Sequence, residues 1–376
     1  MFGGVYRHKR VWVSGTTGFK GAWLAEWLHM LGARVTGFAL PPETDPSLFD
    51  QLGLGDEIEQ EYGDLRDAEL VRRSLERAQP DFVFHLAAQA IVRVGYQKPI
   101  ETYAANVMGT VHVLDALRSL TKPCAAVFVT SDKCYENREW HYGYREDDPL
   151  GGHDPYSSSK GAAEIAISSW RRSFFEHHSV KIASARAGNV IGGGDWAANR
   201  IVPDCVRALQ KGERIVVRNP TATRPWQHVL EPLSGYLWLA ACLASDDAYD
   251  SPRRPSTALD SAFNFGPPRS SSCTVSSLVE EILKHWPGNW EDRADCRAPH
   301  EARLLHLCTD KASAVLGWEP VWGLADSVRK TVEWYRQAAA LPCDPAASAS
   351  LRSLTRQQIE EFQTDAARYG LRWACP

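Results

Sequence analysis

The sequence predicts an α/β protein with a doubly wound parallel sheet followed by a smaller mixed α/β lobe. The first observation is the alternation of short apolar strand patterns with helical patterns in the amino-terminal half, which is typical of a parallel sheet covered by helices. The second is a glycine-rich run, residues 15–21, placed between the first strand pattern and the first helix pattern. Ligands of such sheets bind outside the carboxyl ends of the strands, so we expect the functional residues there.

The elements of the first half are short, and their order is clear. Strands are predicted at Arg10–Ser14, Arg34–Leu40, Phe82–Ala87, Ala125–Ser131 and Lys181–Arg186. A first helix is predicted from Gly18 to Leu31, because apolar residues recur there at three- and four-residue spacing. Further helices are predicted at about 97–119 and 155–177.

The pattern loosens after Gly188, and three consecutive glycines, residues 192–194, interrupt it. Strands are predicted at Glu213–Arg218 and Ala262–Gly266, and helices at Ile201–Lys211, Val275–His285 and Leu324–Ala338. We divide the chain into an NAD-binding, Rossmann-type domain, 1–188, to which later segments such as 213–240 and 262–267 return, and a discontinuous substrate lobe, mainly 189–376. Solvated loops are predicted at 245–261 and 339–350, before a last polar helix near 355–369.

Composition excludes several classes of function. A formal net charge of -4 argues against a nucleic-acid-binding surface. No apolar run reaches the roughly 20 residues that span a bilayer, so no membrane association is expected. The nine cysteines include no Cys-x-x-Cys pair, which predicts reduced thiols in the cytoplasm, without a disulfide framework or a metal site.

The glycine-rich run Gly15-Thr16-Thr17-Gly18-Phe19-Lys20-Gly21 predicts a dinucleotide-binding turn. Gly15 permits a tight turn, Gly18 lets the backbone approach a pyrophosphate, and Gly21 lets helix and strand pack closely. The helix that follows offers free N–H groups and a partial positive charge to the phosphates. A plain strand–helix turn is the less favoured alternative.

Other segments complete the predicted cofactor site. Asp64 and Leu65 follow the third strand-like segment, where Asp64 either reaches the adenine amino group or is simply solvated. The segment after the fourth strand, Leu86-Ala87-Ala88-Gln89, has small residues that would allow a ring of the cofactor to lie against the backbone. Asn106 follows in a helix pattern and is also assigned to the cofactor site. His85 is interpreted as a core histidine. No acidic residue or arginine closes the second strand, so this position does not distinguish NAD from NADP.

A serine, a tyrosine and a lysine predict hydride transfer at an alcohol. Ser131 ends the fifth strand, and Tyr156 and Lys160 lie four residues apart on one helix face. A phenol has a pKa of about 10, too high for a base at neutral pH. A nearby ammonium such as Lys160 would lower that pKa, and Ser131 would donate a hydrogen bond to the alcohol.

These residues resemble the extended short-chain dehydrogenase/reductase family, and within it the nucleotide-sugar 4,6-dehydratases of the CDP-sugar branch. The shared runs are Gly18–Gly21, Thr130–Asn137, Arg186–Trp196 and Arg224–Val229. The resemblance covers about Lys9 to Tyr335, and the last forty or so residues are less diagnostic. One departure is Thr16, where CDP-type relatives usually carry a histidine; we expect the smaller side chain to favour tighter NAD binding.

The resemblance implies NAD-dependent loss of water from a CDP-hexose. Tyr156 would take the proton of the C4 hydroxyl, and Asp132 would protonate the departing C6 hydroxyl. Lys133 stands where dTDP-sugar relatives carry a glutamate base. It would remove the C5 proton if neutral, or stabilise the enolate if charged; a purely structural lysine is the third possibility. The product would be a 4-keto-6-deoxy sugar nucleotide, with the cofactor restored.

The substrate nucleotide is expected against the second lobe. The residues assigned to it are mostly cationic or aromatic, and they are Gln89, Arg93, Asn189, Arg200, Ile201, Arg218, Arg224, Trp226 and His228. Arginines suit bidentate contacts with phosphate, and the run Arg218–His228 is interpreted as a phosphate-binding loop. The identity of the base depends on the resemblance alone.

The same residues are also compatible with two other functions. A nucleotide-sugar 4-epimerase uses the same Ser, Tyr, Lys and cofactor, but it needs no acid and base for C5 and C6. A non-catalytic NAD(H)-sensing scaffold would keep the fold, although such proteins commonly lose the catalytic Tyr or Lys. The resemblance also implies a homodimer through the helices near 97–119 and 155–177, with Ile165, Ile167, Trp170 and Phe174 available for burial.

Overall fold

Seven parallel strands form the central sheet of the computed structural model, which describes residues 1–245, 259–293, 304–341 and 345–375. The strands of the described residues are β1 (Arg10–Ser14), β2 (Arg34–Ala39), β3 (Glu59–Tyr62), β4 (Phe82–His85), β5 (Cys124–Val129), β6 (Val180–Arg186), β7 (Val190–Ile191), β8 (Ile215–Val217), β9 (Thr223–Pro225), β10 (Gln227–His228), β11 (Ala262–Asn264), β12 (Ser272–Thr274) and β13 (Trp290–Asp292). The order in the main sheet is β11-β6-β5-β4-β1-β2-β3. The predicted doubly wound sheet is therefore confirmed.

Helices cover both faces of this sheet and build the second lobe. In the described part they are α1 (Phe19–Met30), α2 (Leu48–Gln51), α3 (Ala68–Ala78), α4 (Val92–Gln97), α5 (Pro99–Tyr103), α6 (Gly109–Leu117), α7 (Pro155–Phe174), α8 (Ile201–Gln210), α9 (Leu230–Ala244), α10 (Val275–His285), α11 (Leu324–Ala340) and α12 (Pro345–Arg368). A π-helical turn, Ala104–Met108, joins α5 to α6. No helix in these four ranges is both long and apolar enough to cross a membrane.

The two faces of the sheet have separate cores, as the two-residue period of a strand requires. Val11 and Val13 of β1 pack in the core that contains α1 and α9. Trp12, between them, packs in the other core, with side chains of α3, α6 and α7. Because both faces are buried, the strands appear in the sequence as nearly continuous apolar runs.

The second lobe consists of helices and three small strand pairs outside the main sheet. β7 pairs with β10 in parallel, β9 with β12 antiparallel, and β8 with β13 in parallel. Of the segments expected to return to the first domain, β11 joins the sheet beside β6 and α9 packs against β5 and β6, whereas within the described residues Ile215–Val217 pairs with Trp290–Asp292 outside the sheet. The division at residue 188 stays a prediction.

The carboxyl-terminal part differs from the sequence prediction. The loop predicted at 339–350 is wrong in its described part, because α11 continues to Ala340 and α12 begins at Pro345. α12 is also not simply polar: Leu351, Ile359 and Phe362 lie in the core shared with α1. Residues 246–258, most of the other predicted loop, lie outside the described residues.

Candidate active site

The carboxyl ends of β1, β2, β4, β5 and β6 open onto a cavity of about 1250 Å³, whose opposite wall belongs to the second lobe. All predicted site residues except Asn106 and His228 line this cavity. The strand order places β1 between β2 and β4, where successive connections run in opposite directions. Such a switch point is where doubly wound sheets bind their ligands.

The glycine loop has the geometry that a pyrophosphate requires. Gly15 has a φ of +84°, and a Cβ there would lie 2.9 Å from the backbone of Ala87. A Cβ on Gly21 would lie 1.9 Å from the carbonyl oxygen of Gly15. Gly18 is the N-cap of α1 and is exposed to the cavity, so the first N–H groups of the helix are accessible to an anion.

Thr16 lies beneath this loop, away from the cavity. It is fully buried, and its hydroxyl donates a hydrogen bond of 2.7 Å to Gln60 Oε1. Gly37 makes room for this contact, because a Cβ there would lie 2.7 Å from the Thr16 hydroxyl. Thr16 therefore affects a bound dinucleotide only through the shape of the loop. Thr17, in contrast, lines the cavity and donates to the carbonyl of Leu40 at 2.8 Å.

The wall after β3 contains an ion pair that sequence reasoning missed. Asp64 and Leu65 line the cavity as predicted, and so does Arg66. Arg66 Nη2 lies 2.5 Å from Asp64 Oδ2, and a hydrogen bond from Arg66 holds the pKa of Asp64 below its ordinary value. The Asp64 carboxylate is therefore ionised and oriented before any ligand arrives. Whether it binds adenine stays a prediction.

The turn after β4 is held from below by Ser14 and Asn106. Ser14 Oγ accepts hydrogen bonds of 3.1 Å from the backbone N–H groups of Leu86 and Ala87. Asn106 Nδ2 donates to the Gln89 carbonyl at 3.0 Å, and its Oδ1 accepts from the Gln89 N–H at 2.8 Å. Asn106 is buried behind this turn and does not line the cavity, so the structure does not support a direct cofactor contact for it.

His85 belongs to the core, as interpreted from the sequence. Its Nδ1 lies 2.8 Å from Ser14 Oγ and its Nε2 lies 3.1 Å from Thr110 Oγ1. Burial and, to a lesser extent, the charge of Lys160 lower the pKa of His85 to about 3. The imidazole is therefore neutral at physiological pH and is not a proton donor to the cavity.

Asp132 is fixed in one orientation at the end of β5. Ser131 Oγ donates to its Oδ1 at 3.0 Å, and Asn189 Nδ2 donates to its Oδ2 at 2.8 Å. Gly188 lies against the carboxyl group, since a Cβ there would be 2.0 Å from Asp132 Cγ. Ser131 also accepts from the N–H of Lys133 at 3.2 Å, which begins the short turn that carries Asp132 and Lys133 into the cavity wall.

Tyr156 and Lys160 lie on the first turns of α7, both in the cavity wall. Asp154 caps the helix by accepting from the N–H groups of Tyr156 and Ser157, each at 3.0 Å. Burial raises the pKa of Tyr156 to about 12; the charge of Asp132 adds to this effect, and a hydrogen bond with Ser131 and the charge of Arg200 oppose it by lowering the pKa. The sequence assigned this lowering to Lys160; in the structure Arg200 is the main cation that acts on the phenol.

Two further cations share this end of the cavity. Burial lowers the pKa of Lys160 to about 8, with the charge of Glu164 opposing the change. Burial likewise lowers the pKa of Lys20 to about 7, together with the charges of Lys160 and Arg200. Lys20 Nζ donates to the buried Tyr236 hydroxyl at 3.3 Å. The glycine loop thus contributes a titratable amine as well as backbone to the site.

The second lobe supplies the remaining lining residues. Arg200 Nη1 forms an ion pair of 2.9 Å with Asp195, which fixes the guanidinium near Tyr156. Arg218 lies 3.5 Å from Asp204 at the outer end of the cavity. Asn189, Ile201, Arg224 and Trp226 also line this wall, whereas Gln89 and Arg93 line the cavity from the segment after β4.

His228 is not part of the cavity, and its assignment to the substrate is wrong. The imidazole is fully buried and packs edge-on against Trp23 and Trp322. Burial lowers its pKa to about 3. The motif that contains His228 is therefore partly a packing motif, because β10 continues from the cavity wall into the core.

Comparison with known proteins agrees with this geometry. The family model for GDP-mannose 4,6 dehydratase matches residues 12–331. A CDP-glucose 4,6-dehydratase from Salmonella typhimurium is 47% identical over 337 residues, covering 88% of this chain and 91% of the relative. A dTDP-glucose 4,6-dehydratase from Streptomyces antibioticus is 28% identical over 282 residues, covering 74% and 76%.

Solved structures share the fold at lower identity. A dTDP-glucose 4,6-dehydratase from Streptomyces venezuelae, solved with NAD bound, has a TM-score of 0.73 at 20% identity and covers 87% of this chain and 97% of its own. A UDP-glucose 4-epimerase from Thermotoga maritima, solved with UDP-glucose, has a TM-score of 0.71 at 20% identity, covering 87% and 98%. The fold alone therefore does not separate dehydratases from epimerases. The family model and the 47% identity do establish the family: the chain belongs to the GDP-mannose 4,6 dehydratase family, a group of nucleotide-sugar dehydratases within the extended short-chain dehydrogenases/reductases.

Proposed function

We propose that this protein is a CDP-glucose 4,6-dehydratase, which converts CDP-D-glucose to CDP-4-dehydro-6-deoxy-D-glucose and water. The observation that carries the proposal is one cavity lined by Ser131, Tyr156 and Lys160 for redox chemistry and by Asp132 and Lys133 for elimination. The 47% identical relative named CDP-glucose 4,6-dehydratase supports the choice of nucleotide. An epimerase would need no residues in the roles of Asp132 and Lys133.

The cofactor that fits the glycine loop is NAD. Its pyrophosphate would lie on the N-terminus of α1, its adenosine end near Asp64 and Leu65, and its nicotinamide end near Tyr156 and Lys160. Bound NAD supplies a hydride acceptor for C4 that returns the hydride to C6, so no external oxidant is needed. Neither an acidic residue nor an arginine directly follows β2, and Arg66 is paired with Asp64; the choice of NAD over NADP is supported by the related dehydratase solved with NAD bound.

The protein's own residues move the protons. Tyr156 accepts the proton of the C4 hydroxyl as the phenolate, and Ser131 would turn its hydroxyl from Asp132 to donate a hydrogen bond to the alcohol. The charges of Arg200, Lys160 and the oxidised nicotinamide, once bound, would stabilise the phenolate and so lower the Tyr156 pKa from its value of about 12 in the cofactor-free protein. The 4-ketone acidifies the C5 proton, which Lys133 removes or, if charged, helps to release by stabilising the enolate. Asp132, held by Asn189 and Ser131, faces the departing C6 hydroxyl and protonates it as water leaves.

Deuterium exchange distinguishes the roles of Lys133. The Lys133→Ala variant should exchange the C5 proton with solvent more slowly by about 10²-fold, the usual contribution of a general base. It should still oxidise C4, because Tyr156 is untouched. The measurement is the C5 deuterium content of recovered CDP-glucose and product after incubation in ²H₂O. Exchange at the parental rate would refute both the base and the enolate role.

Product analysis tests the function itself. The protein is incubated with CDP-, dTDP- and GDP-glucose, each with NAD, and the products are separated and weighed by mass spectrometry. We expect loss of one water from CDP-glucose and an alkali-sensitive keto sugar. An isomer of unchanged mass would indicate an epimerase. Tight NAD binding without turnover of any of the three would indicate a sensing scaffold.

We further propose a homodimer that works in the cytoplasm. Apolar side chains stand exposed on the helices near 97–119 and 155–177, with Ile100 80% and Ile165 59% accessible. Ile167 and Trp170 were predicted to lie in the interface, and the structure corrects this. Ile167 is buried in the core of the monomer, and Trp170 packs against that core. The seven cysteines whose side chains the structure describes are free thiols, in agreement with a reducing compartment.

Sedimentation tests the dimer. The Ile165→Arg variant should sediment as a monomer at concentrations where the parent is dimeric, because a charge on this face would be buried unpaired. Val216→Arg, at another exposed apolar position, is the matched control and should leave the assembly unchanged. A monomeric parent would contradict the proposal.

A further inference from the structure

A buried carboxylate joins the three segments that carry the catalytic residues. Glu164 lies on α7, four residues after Lys160, and is 3% exposed. One of its oxygens accepts a hydrogen bond from Thr130 Oγ1. The other accepts from Ser184 Oγ and from Arg186 Nη2, both at 2.8 Å. Four groups from α7, β5 and β6 therefore meet at one point behind the cavity.

Each partner of Glu164 is adjacent to a part of the site. Thr130 directly precedes Ser131 at the end of β5. Arg186 ends β6 and is followed, two residues later, by Gly188, which lies against Asp132. On α7 itself, Lys160 precedes Glu164 by about one helical turn, so both side chains lie on the same face. A displacement of Glu164 would therefore shift the redox residues Ser131 and Lys160 and the elimination residue Asp132 at the same time.

Arg186 is fixed from its other side, so this junction is rigid. Its Nη1 donates to the Tyr135 hydroxyl at 2.7 Å and to the Glu146 carbonyl at 2.9 Å. Tyr135 in turn donates to Asn264 Oδ1 at 2.7 Å, on strand β11. Burial raises the pKa of Glu164, but the charge of Arg186 and the three hydrogen bonds outweigh it, so the pKa stays below its ordinary value. Glu164 is therefore an anion at neutral pH.

The charge of Glu164 acts on Lys160, which is buried, and raises the pKa of that amine. The titratable groups that face Lys160 are Tyr156 and Glu164 from α7, His85 from β4, Cys134 from the turn after β5, and Lys20 from α1. His85 is neutral, burial raises the pKa of Cys134 so that it stays a thiol, and Lys20 opposes a second positive charge. In the cofactor-free protein, where Tyr156 is a neutral phenol, Glu164 is the group in this set that favours the ammonium.

We propose that Glu164 is a positioning residue, which holds the ends of β5 and β6 against α7 and keeps Lys160 charged without touching the substrate. The inference rests on the proposed redox function of Tyr156 and Lys160. It differs from a purely structural role in one respect: loss of the carboxylate charge must change the pH range in which Lys160 is an ammonium.

The direction of that change follows from the charges. Removing an anion destabilises the ammonium and lowers the pKa of Lys160. Lys160 then loses its proton at lower pH, so the alkaline limb of the pH–kcat profile moves to lower pH by about one unit, the lower end of the effect of a nearby opposite charge.

The experiment compares Glu164→Gln and Glu164→Asp with the parent. Glu164→Gln should shift the alkaline limb downward by about one unit. Glu164→Asp keeps the charge, so the limb should stay in place while kcat falls because Thr130 and Arg186 lose their geometry. Glu146→Gln, which changes a carboxyl on the far side of Arg186, is the matched control and should not move the limb.

A second readout separates this proposal from the proposed function. The ε-carbon signal of Lys160, labelled with ¹³C and assigned by its loss in Lys160→Met, is titrated in the protein without substrate. Its midpoint should also fall in Glu164→Gln, even if CDP-glucose is not turned over. An unchanged midpoint and limb in Glu164→Gln would overturn the proposal. If that variant does not fold, a shifted limb or parental kcat in Glu164→Asp would overturn it.

Discussion

At the level of single residues, the carboxyl group of Asp132, which we propose to be the acid that protonates the departing hydroxyl, is held in one orientation. The sequence and its family resemblance made Asp132 the candidate acid, but they did not give the orientation of its carboxyl group. In the structure, Ser131 and Asn189 each donate to one of its carboxyl oxygens, and Gly188 leaves space for it. Asn189, predicted to bind substrate, lines the cavity but also orients the acid. This double role depends on its left-handed backbone, with a φ of +53°.

The Gly188→Ala variant tests that orientation. The new Cβ would lie 2.0 Å from Asp132 Cγ, so the carboxyl group must move. A displacement of about 1 Å is enough to reduce kcat by about 10²-fold. We expect water loss to slow by this factor while the C5 proton still exchanges with ²H₂O, because the redox residues are unaffected.

Gly323→Ala is the control for this substitution, because a Cβ there has no heavy atom within 4 Å. It should leave both rates at the parental level. If Gly188→Ala eliminated water as fast as the parent, the placement of Asp132 as the acid would be wrong. If it lost C5 exchange and elimination to the same extent, the effect would lie upstream of Asp132.

At the level of elements, the glycine loop is supported by side chains that do not touch the cavity. Thr16 and Gln60 form a buried hydrogen bond under the loop, next to Gly37. A histidine at position 16 has no space there unless Gln60 moves. Overpacking of this kind costs about 1–3 kcal/mol. The limited space around position 16 therefore gives a steric reason why Thr16, in place of a histidine, should favour tighter NAD binding.

The Thr16→His variant should bind NAD about tenfold more weakly, which corresponds to about 1.4 kcal/mol. The measurement is isothermal titration of the substrate-free protein with NAD. Thr17→Ser is the matched control, because its hydroxyl can still donate to Leu40 and the loop keeps its packing. NAD affinity equal to or above the parent in Thr16→His would contradict this explanation.

The carboxyl-terminal helix is a second element whose role becomes clear only in three dimensions. Glu26 of α1 is fully buried, and Arg352 and Arg356 of α12 bind its carboxylate, with Arg352 Nε 3.0 Å and Arg356 Nε 2.5 Å away. Phe362 packs edge-on against Trp27 of α1. α12 therefore stabilises the helix whose N-terminus forms the dinucleotide site.

The double variant Arg352→Met, Arg356→Met should be markedly less stable, because it leaves a buried carboxylate without a partner. Breaking a buried pair in this way costs about 3–5 kcal/mol. Urea unfolding monitored by tryptophan fluorescence measures the loss. Arg368→Met is the control, since its pair with Asp365 is on the surface and the arginine is 74% exposed; it should cost less than about 1 kcal/mol. Equal losses would refute the role assigned to α12.

Sequence patterns predicted most of the helices that have one polar and one buried face and the strands of the parallel sheet, although α3, which also has two such faces, was not predicted. They missed α9, because a helix that is buried on every side carries no amphipathic period. They also placed a loop over the first residues of α12, since its Ala- and Ser-rich start resembles a linker. The short pairs β7–β10 and β8–β13 depend on contacts distant in sequence, which no local pattern encodes.

At the scale of the whole molecule, the cavity brings together residues from both halves of the chain. The glycine loop, the end of β5 and the start of α7 could be predicted as one site, because parallel strands end at the same edge of a sheet. The position of Arg200 beside Tyr156 could not, because it depends on Asp195 and on how the second lobe folds over the sheet. Glu164 was identifiable only by its spacing from Lys160, and its partners from β5 and β6 appear only in the folded chain.

The central claim is that one cavity removes a hydride, eliminates water and returns the same hydride. The most direct test uses CDP-glucose with deuterium at C4, incubated with the NAD-loaded protein in ordinary water, and locates the label by NMR and mass spectrometry. We predict a 4-keto-6-deoxy product that has lost one water and carries the deuterium at C6. Loss of the label, or a labelled epimer with the mass of the substrate, would contradict the account.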